Sequence, residues 1–202
     1  MAPILLCIWH GRNHGFYQGG SSSGSLLGED ICVVVKNAPL QPPDSHYLSA
    51  AEGWLDLDNC QEALAELSSI RAIYQGNFDV LQMRWQVYSR LKDWEECLRI
   101  SDVMIEVNPD APQGWINHGN ALFYLRRFQE AFDLLLPVLK KFPSDEAIPY
   151  NLACYKCQQG DIREAQQWLQ RAFKVGDKKR MKSLALNDPD LKPLWEKGPQ
   201  LK

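Results

Sequence analysis

The sequence predicts an all-α protein, a superhelix of antiparallel helix pairs closed by a C-terminal capping helix, and three observations carry that prediction. Small residues recur 34 positions apart at Ala63, Cys97, Ala131 and Ala165. Each lies within a pair of stretches with helical hydrophobic period, joined by a short polar turn. Proline and short polar residues punctuate the same points of the register, as Asn108-Pro109-Asp110 and Phe142-Pro143-Ser144-Asp145. There proline ends one helix and a short polar side chain caps the next. A repeat of this length stacks unit on unit, so its function resides in an extended surface rather than an enclosed pocket.

Residues 1–43 hold no sustained period, contain Gly19-Gly20-Ser21-Ser22-Ser23-Gly24-Ser25 and close on Pro39, Pro42 and Pro43. That composition predicts a flexible, disordered leader. From Asp44 the chain divides into four units, 44–77, 78–111, 112–145 and 146–179, each with two helices and a turn. In the third, Trp115, His118, Gly119 and Leu122 share one face of the first helix, and Ala131, Leu135 and Val138 share one face of the second. Small residues also mark the first helices at Ala51, Gly119 and Ala153, whereas the second unit places Trp85 there. Pro149 falls in a first helical turn, where amide donors have no intrahelical partner, while Pro137 falls late in a second helix and predicts a bend. Residues 180–202 keep Met181, Leu184, Leu191, Leu194 and Trp195 among charges and carry a start signal at Asn187-Asp188-Pro189. This segment suits a capping tail that covers the apolar face a terminal unit would otherwise expose.

Composition restricts the function classes. The chain has 202 residues, 45% hydrophobic, with a formal charge of −3. Residues 44–77 sum to −5, 78–111 to −3 and 112–202 to +5, so the molecule is electrically bipolar along its length. The apolar run Ile4 to Trp9 is far shorter than a bilayer span. With six cysteines placed mostly inside helix patterns, reduced packing thiols in a soluble cytoplasmic protein are expected, with no membrane contact and no cofactor.

No constellation in the sequence reads as a catalytic set. Cys154-Tyr155-Lys156-Cys157 lacks the second cysteine pair of a zinc site and the strand that precedes a redox motif. Cys7, His10 and His14 sit in the leader, and His46 and His118 are isolated. No glycine-rich phosphate loop occurs. Lys178-Lys179-Arg180 with Lys182 is the one dense basic cluster; without interleaved aromatics it reads as a solvated helix C-terminal end, with nucleic-acid contact the unlikely rival.

The 34-residue period, Trp115 with Gly119, the alanine column and the terminal prolines Pro109 and Pro143 resemble the tetratricopeptide repeat family over roughly 44–179. His118 and Leu122 depart from the family pattern W-x2-L-G-x2-Y. The tail from Leu186 to Trp195 looks like endings found on small bacterial proteins of this type. The resemblance implies a right-handed superhelix and a non-catalytic scaffold or adaptor whose first helices line a concave groove for an extended peptide or a partner helix. Helical phase then places Gln82, Gln86 and Arg90 from the second unit in that groove, with Ile116, Asn117, Asn120, Phe123 and Tyr124 from the third and Tyr150, Asn151 and Cys154 from the fourth.

Asn117 and Asn151 stand 34 apart, and amides at equivalent positions suit the backbone of an extended ligand. The competing role is bridging between neighbouring helices. On the ligand reading, Asn117→Ala with Asn151→Ala weakens capture and leaves melting unchanged. Phe123, Tyr124 and Tyr150 offer an apolar anchor pocket, or else inter-unit packing. Some members of the family grip a chaperone C-terminus with a basic cluster; here Arg90 is nearly the lone cation of the groove, and the acidic first half favours a basic or neutral segment. Self-association through the repeat faces or tail is the structural alternative.

Overall fold

The computed structural model describes residues 39–197. The leader as far as residue 38, with Cys7, His10 and His14, and residues 198–202 lie outside the described residues. Four helix pairs follow in register: α1 (Asp44–Asp56) with α2 (Cys60–Ser69), α3 (Phe78–Leu91) with α4 (Trp94–Val107), α5 (Pro112–Tyr124) with α6 (Phe128–Lys141), and α7 (Ala147–Gln159) with α8 (Ile162–Val175). Two further helices, α9 (Lys178–Asn187) and α10 (Lys192–Lys197), form the cap, linked by a 3-10 turn at Pro189–Leu191. No strand occurs among the described residues.

The turn inside every pair is built the same way. The residue closing the first helix is left-handed in each unit: Asp58 (φ 59°), Lys92 (59°), Arg126 (65°) and Gly160 (88°). The next amide reaches back across the turn, Asn59 to the carbonyl of Trp54, Asp93 to Tyr88, Arg127 to Leu122 and Asp161 to Lys156. This satisfies carbonyls that the helix end leaves over. The same next residue caps the second helix: the side chains of Asn59, Asp93 and Asp161 accept from the amides of Glu62, Glu96 and Glu164 at 3.3, 3.1 and 3.0 Å. The third unit breaks the pattern. Arg127 has no acceptor oxygen, and its guanidinium instead makes two bonds to Glu130 at 2.9 and 2.7 Å.

Close packing explains the alanine column. Ala63, Cys97, Ala131 and Ala165 are all fully buried. Burial pushes the Cys97 thiol up to about 12, so it acts as a small packing group. At Gly119 an added methyl would lie 2.7 Å from the Tyr155 hydroxyl and 3.2 Å from Leu135, so the absence of a side chain sets the approach of α5 to its neighbours. Trp85 fills the same register position in α3 with its ring buried and its indole N–H without an acceptor. α3 divides the interior: Val80, Met83 and Val87 join the core of the first unit, while Leu81 and Trp85 join the core of the others. Pro137 is accommodated within a continuous α6, and both it and Asp133, whose carbonyl loses its usual amide partner there, are exposed residues.

Candidate interaction face

Each first helix presents its residues to two neighbours, the open inner face of the superhelix and the first helix of the next unit. Most first-helix side chains are covered by the second helices on either side, and adjacent first helices add specific bonds. Asn117 donates from Nδ2 to Gln82 Oε1 at 3.0 Å and accepts from Gln113 Nε2 at 2.7 Å, so it ties the third unit to the second. Tyr155 donates to Asn120 at 3.4 Å one unit further along. Phe123 packs against Tyr155, Phe128 and Tyr124 with ring centroids 5.2–5.4 Å apart. In the fourth unit the cap supplies the partner. The Tyr150 hydroxyl donates to the Asp188 carboxylate at 2.7 Å, Cys154 Sγ lies 3.9 Å from the same oxygen, and Gln158 Nε2 donates to the carbonyl of Asp190 at 2.7 Å.

This corrects the groove drawn from helical phase. Ile116, Asn117, Asn120, Phe123, Tyr150, Asn151 and Cys154 are buried, none more than 4% exposed, and none is available to a ligand. Substituting side chains this buried is expected to act on stability, contrary to the sequence-based expectation that melting is unchanged. Gln82, Gln86 and Tyr124 are half-buried and Arg90 is exposed, so these four keep surface that faces solvent. Exposed Glu52 and Asp56 of α1 and Asp79 of α3 extend it with negative charge. Arg90 is balanced by Asp58 at 3.2 Å, and the Tyr124 ring is held rigid by stacking on Trp94 at 4.3 Å and 14°. The open face is therefore a polar, net acidic strip on units one to three with one fixed aromatic.

Asn151 is a special case. It is fully buried, and neither its amide nitrogen nor its oxygen has a partner. One unit earlier, Asn117 meets Gln82, Gln113 and the sulfur of Met104. The residues one unit on from those three are Ile116, Ala147 and Val138, all apolar and buried. The amide has been retained while its complement has not.

The remaining candidates resolve as packing or surface. Cys154 and Cys157 are buried and unbridged, and no group of three or more metal-ligating side chains lies among the described residues. His118 Nδ1 sits 3.1 Å from Asp102, but burial depresses its basicity more than that carboxylate restores. Lys178, Lys179 and Arg180 open α9 rather than ending a helix, with Asp177 capping through the amide of Arg180 at 2.6 Å and Arg180 paired to Glu146. The reading as a helix C-terminal end is thus overturned. Asp188 is the residue sequence reasoning undervalued: it caps the 3-10 turn through the amide of Asp190 at 2.9 Å and anchors the cap to Tyr150, and the Asn187-Asp188-Pro189 start signal was its visible trace. Burial raises its carboxyl above the ordinary range, against the opposing hydrogen bonds.

No family model and no curated protein matches the sequence. Solved structures do. The chain is similar to YrrB, described as a TPR protein with an unusual peptide-binding site, at a TM-score of 0.59 and 16% identity over 72% of this chain and 75% of that one. It is similar to PilF of Pseudomonas aeruginosa at 0.60 and 17%, over 78% of each chain. MamA of Desulfovibrio magneticus RS-1 superposes at 0.59 and 15%, over 78% of this chain and 92% of that one. At these identities the likeness speaks for the fold, and it agrees with the four helix pairs, the left-handed turns and the small-residue column: the chain has the fold of the tetratricopeptide repeat proteins.

Proposed function

We propose that this chain is a non-catalytic, cytoplasmic protein-interaction scaffold that takes an extended or helical segment of another protein on the inner face of its first three units. The supporting observation is the contrast along the first helices. The fourth-unit positions are filled by the chain's own cap, whereas Gln82, Gln86, Arg90 and Tyr124 keep solvent-accessible surface beside the acidic Glu52, Asp56 and Asp79. Glutamine amides donate to and accept from a ligand backbone without reading its sequence. The stacked Tyr124 ring gives an anchor whose order costs little on binding. The negative rim favours a basic or neutral segment. YrrB, of the same fold, binds peptide by its description.

The test is selection of a random displayed peptide library on the immobilised full chain. Selected segments carry net positive charge and lose about tenfold in affinity on Gln86→Ala with Tyr124→Ala, the loss of one or two ordinary contacts. Selected peptides that bind this variant unchanged overturn the proposal.

A further inference from the structure

The turns of the first three units each carry a leucine, and in two of them it is exposed. Leu57, Leu91 and Leu125 occupy the same place in the first three units, immediately before the left-handed residue, and Gln159 occupies it in the fourth. The fourth turn makes the same backbone hydrogen bonds as the others, so leucine is not a demand of the turn. Leu57 is 73% exposed and Leu91 50%, while Leu125 is half-buried, packed on one side against the core and open on the other. Single exposed leucines are ordinary, but these recur at one register position on three successive units, which aligns them along one edge.

The charges beside this column run from negative to positive. Asp56 and Asp58 flank Leu57, Lys92 and Asp93 balance beside Leu91, and Arg126 and Arg127 follow Leu125. Asp58 is paired with Arg90 and Arg127 with Glu130, so Asp56 at one end and Arg126 at the other set the polarity. The Arg126 guanidinium lies over the Phe128 ring at 4.9 Å, which extends the apolar strip beneath the charge. A strip apolar along its middle, negative at one end and positive at the other, complements itself when turned through a half rotation. Self-complementarity is the condition for a two-fold interface.

We propose that this edge is a two-fold contact between two copies of the chain. Leu91 meets its own equivalent at the axis, Leu57 faces Leu125 of the partner subunit, and Asp56 faces the partner's Arg126. Asp56 borders both this edge and the proposed inner face, so the two contacts share that residue. Adjacent stacked helices sit roughly 10 Å apart, which makes the strip small and the dimer weak, with dissociation in about the micromolar range or above.

Light scattering and sedimentation of the full chain, from about 1 µM to about 300 µM where contacts of this size dissociate, read the association directly. The average mass rises with concentration toward twice the monomer. Leu91→Asp weakens association at least about tenfold, as does Leu57→Lys, with unchanged helicity because both side chains are exposed. Asp56→Arg and Arg126→Asp each weaken it alone, and the two together restore it. A monomer across the whole range, a dimer indifferent to Leu91→Asp, or a double charge reversal no better than either single one overturns the proposal.

Discussion

Asn117 and Asn151 occupy the same register position and carry the same side chain, yet their substitution by leucine should move stability in opposite directions. Both are buried, so solvent repairs neither. Asn151→Leu removes a donor and an acceptor that have no partners. A buried unsatisfied polar group costs about 1–3 kcal/mol, and leucine of nearly the same outline adds apolar contact with the apolar residues one unit on from the partners of Asn117. The expected gain is about 1–3 kcal/mol. Asn117→Leu discards the bonds to Gln82 and Gln113, but those glutamines are half-buried and partly recover water, so the expected loss is about 1–2 kcal/mol. Urea unfolding followed by circular dichroism measures both, with midpoints compared because repeat arrays depart from two-state behaviour. Ile116→Gln in the native background supplies Asn151 with the acceptor that Gln82 gives Asn117, and should cost less than the same change combined with Asn151→Leu. Equal midpoint shifts of one sign for the two asparagines refute the reasoning, because the register argument then fails to distinguish a satisfied amide from an orphaned one.

Three further predictions rest on the repeated turn and the cap. Lys92→Gly and Arg126→Gly relieve left-handed backbone at +59° and +65° and should each raise the unfolding midpoint by about 1 kcal/mol, whereas Gly160→Ala lowers it. Asp93→Ala and Asp161→Ala each remove a helix cap and cost about 1 kcal/mol, while Arg127→Ala breaks only an exposed ion pair and leaves the midpoint nearly unmoved; the same unfolding series separates them. Asp188 has a carboxyl pKa above its unfolded value, so the folded state holds the proton more tightly and this group's contribution falls as pH rises through that value. Asp188→Asn keeps the acceptor for the Asp190 amide and turns the Tyr150 contact into one donated by the asparagine nitrogen to the phenol oxygen, without a buried charge, so amide exchange in α10 slows at pH 7 and its pH dependence is lost; faster exchange would contradict this.

The fold was legible because its cause is periodic. Alanine at 63, 131 and 165 and cysteine at 97 record the close approach of paired helices, and Asn59, Asp93 and Asp161 advertise the start of the second helix. The turn was only partly legible: Gly160 signals a left-handed residue, but Asp58, Lys92 and Arg126 adopt the same conformation with no compositional mark, since the backbone bonds of the turn hold them there. The interaction face was the least legible part. Helical phase tells which side of one helix a residue occupies but not what lies against it: Asn120 meets Tyr155 of the next first helix, and Tyr150 and Cys154 meet Asp188 of the cap, neighbours that a single helix wheel does not contain. The orphaned state of Asn151 was readable in principle, by asking whether the partners of Asn117 recur 34 residues on.

Hydrogen exchange of the full chain with and without a library-selected basic peptide tests the central claim, that the open inner face lies on units one to three and the cap closes the fourth. The account predicts protection in α1, α3 and α5, around Glu52, Gln86 and Tyr124, with α7 and the Asp188 turn unchanged. Protection centred on α7, accompanied by faster exchange across residues 188–196, would mean that ligand displaces the cap from Tyr150, and would contradict it.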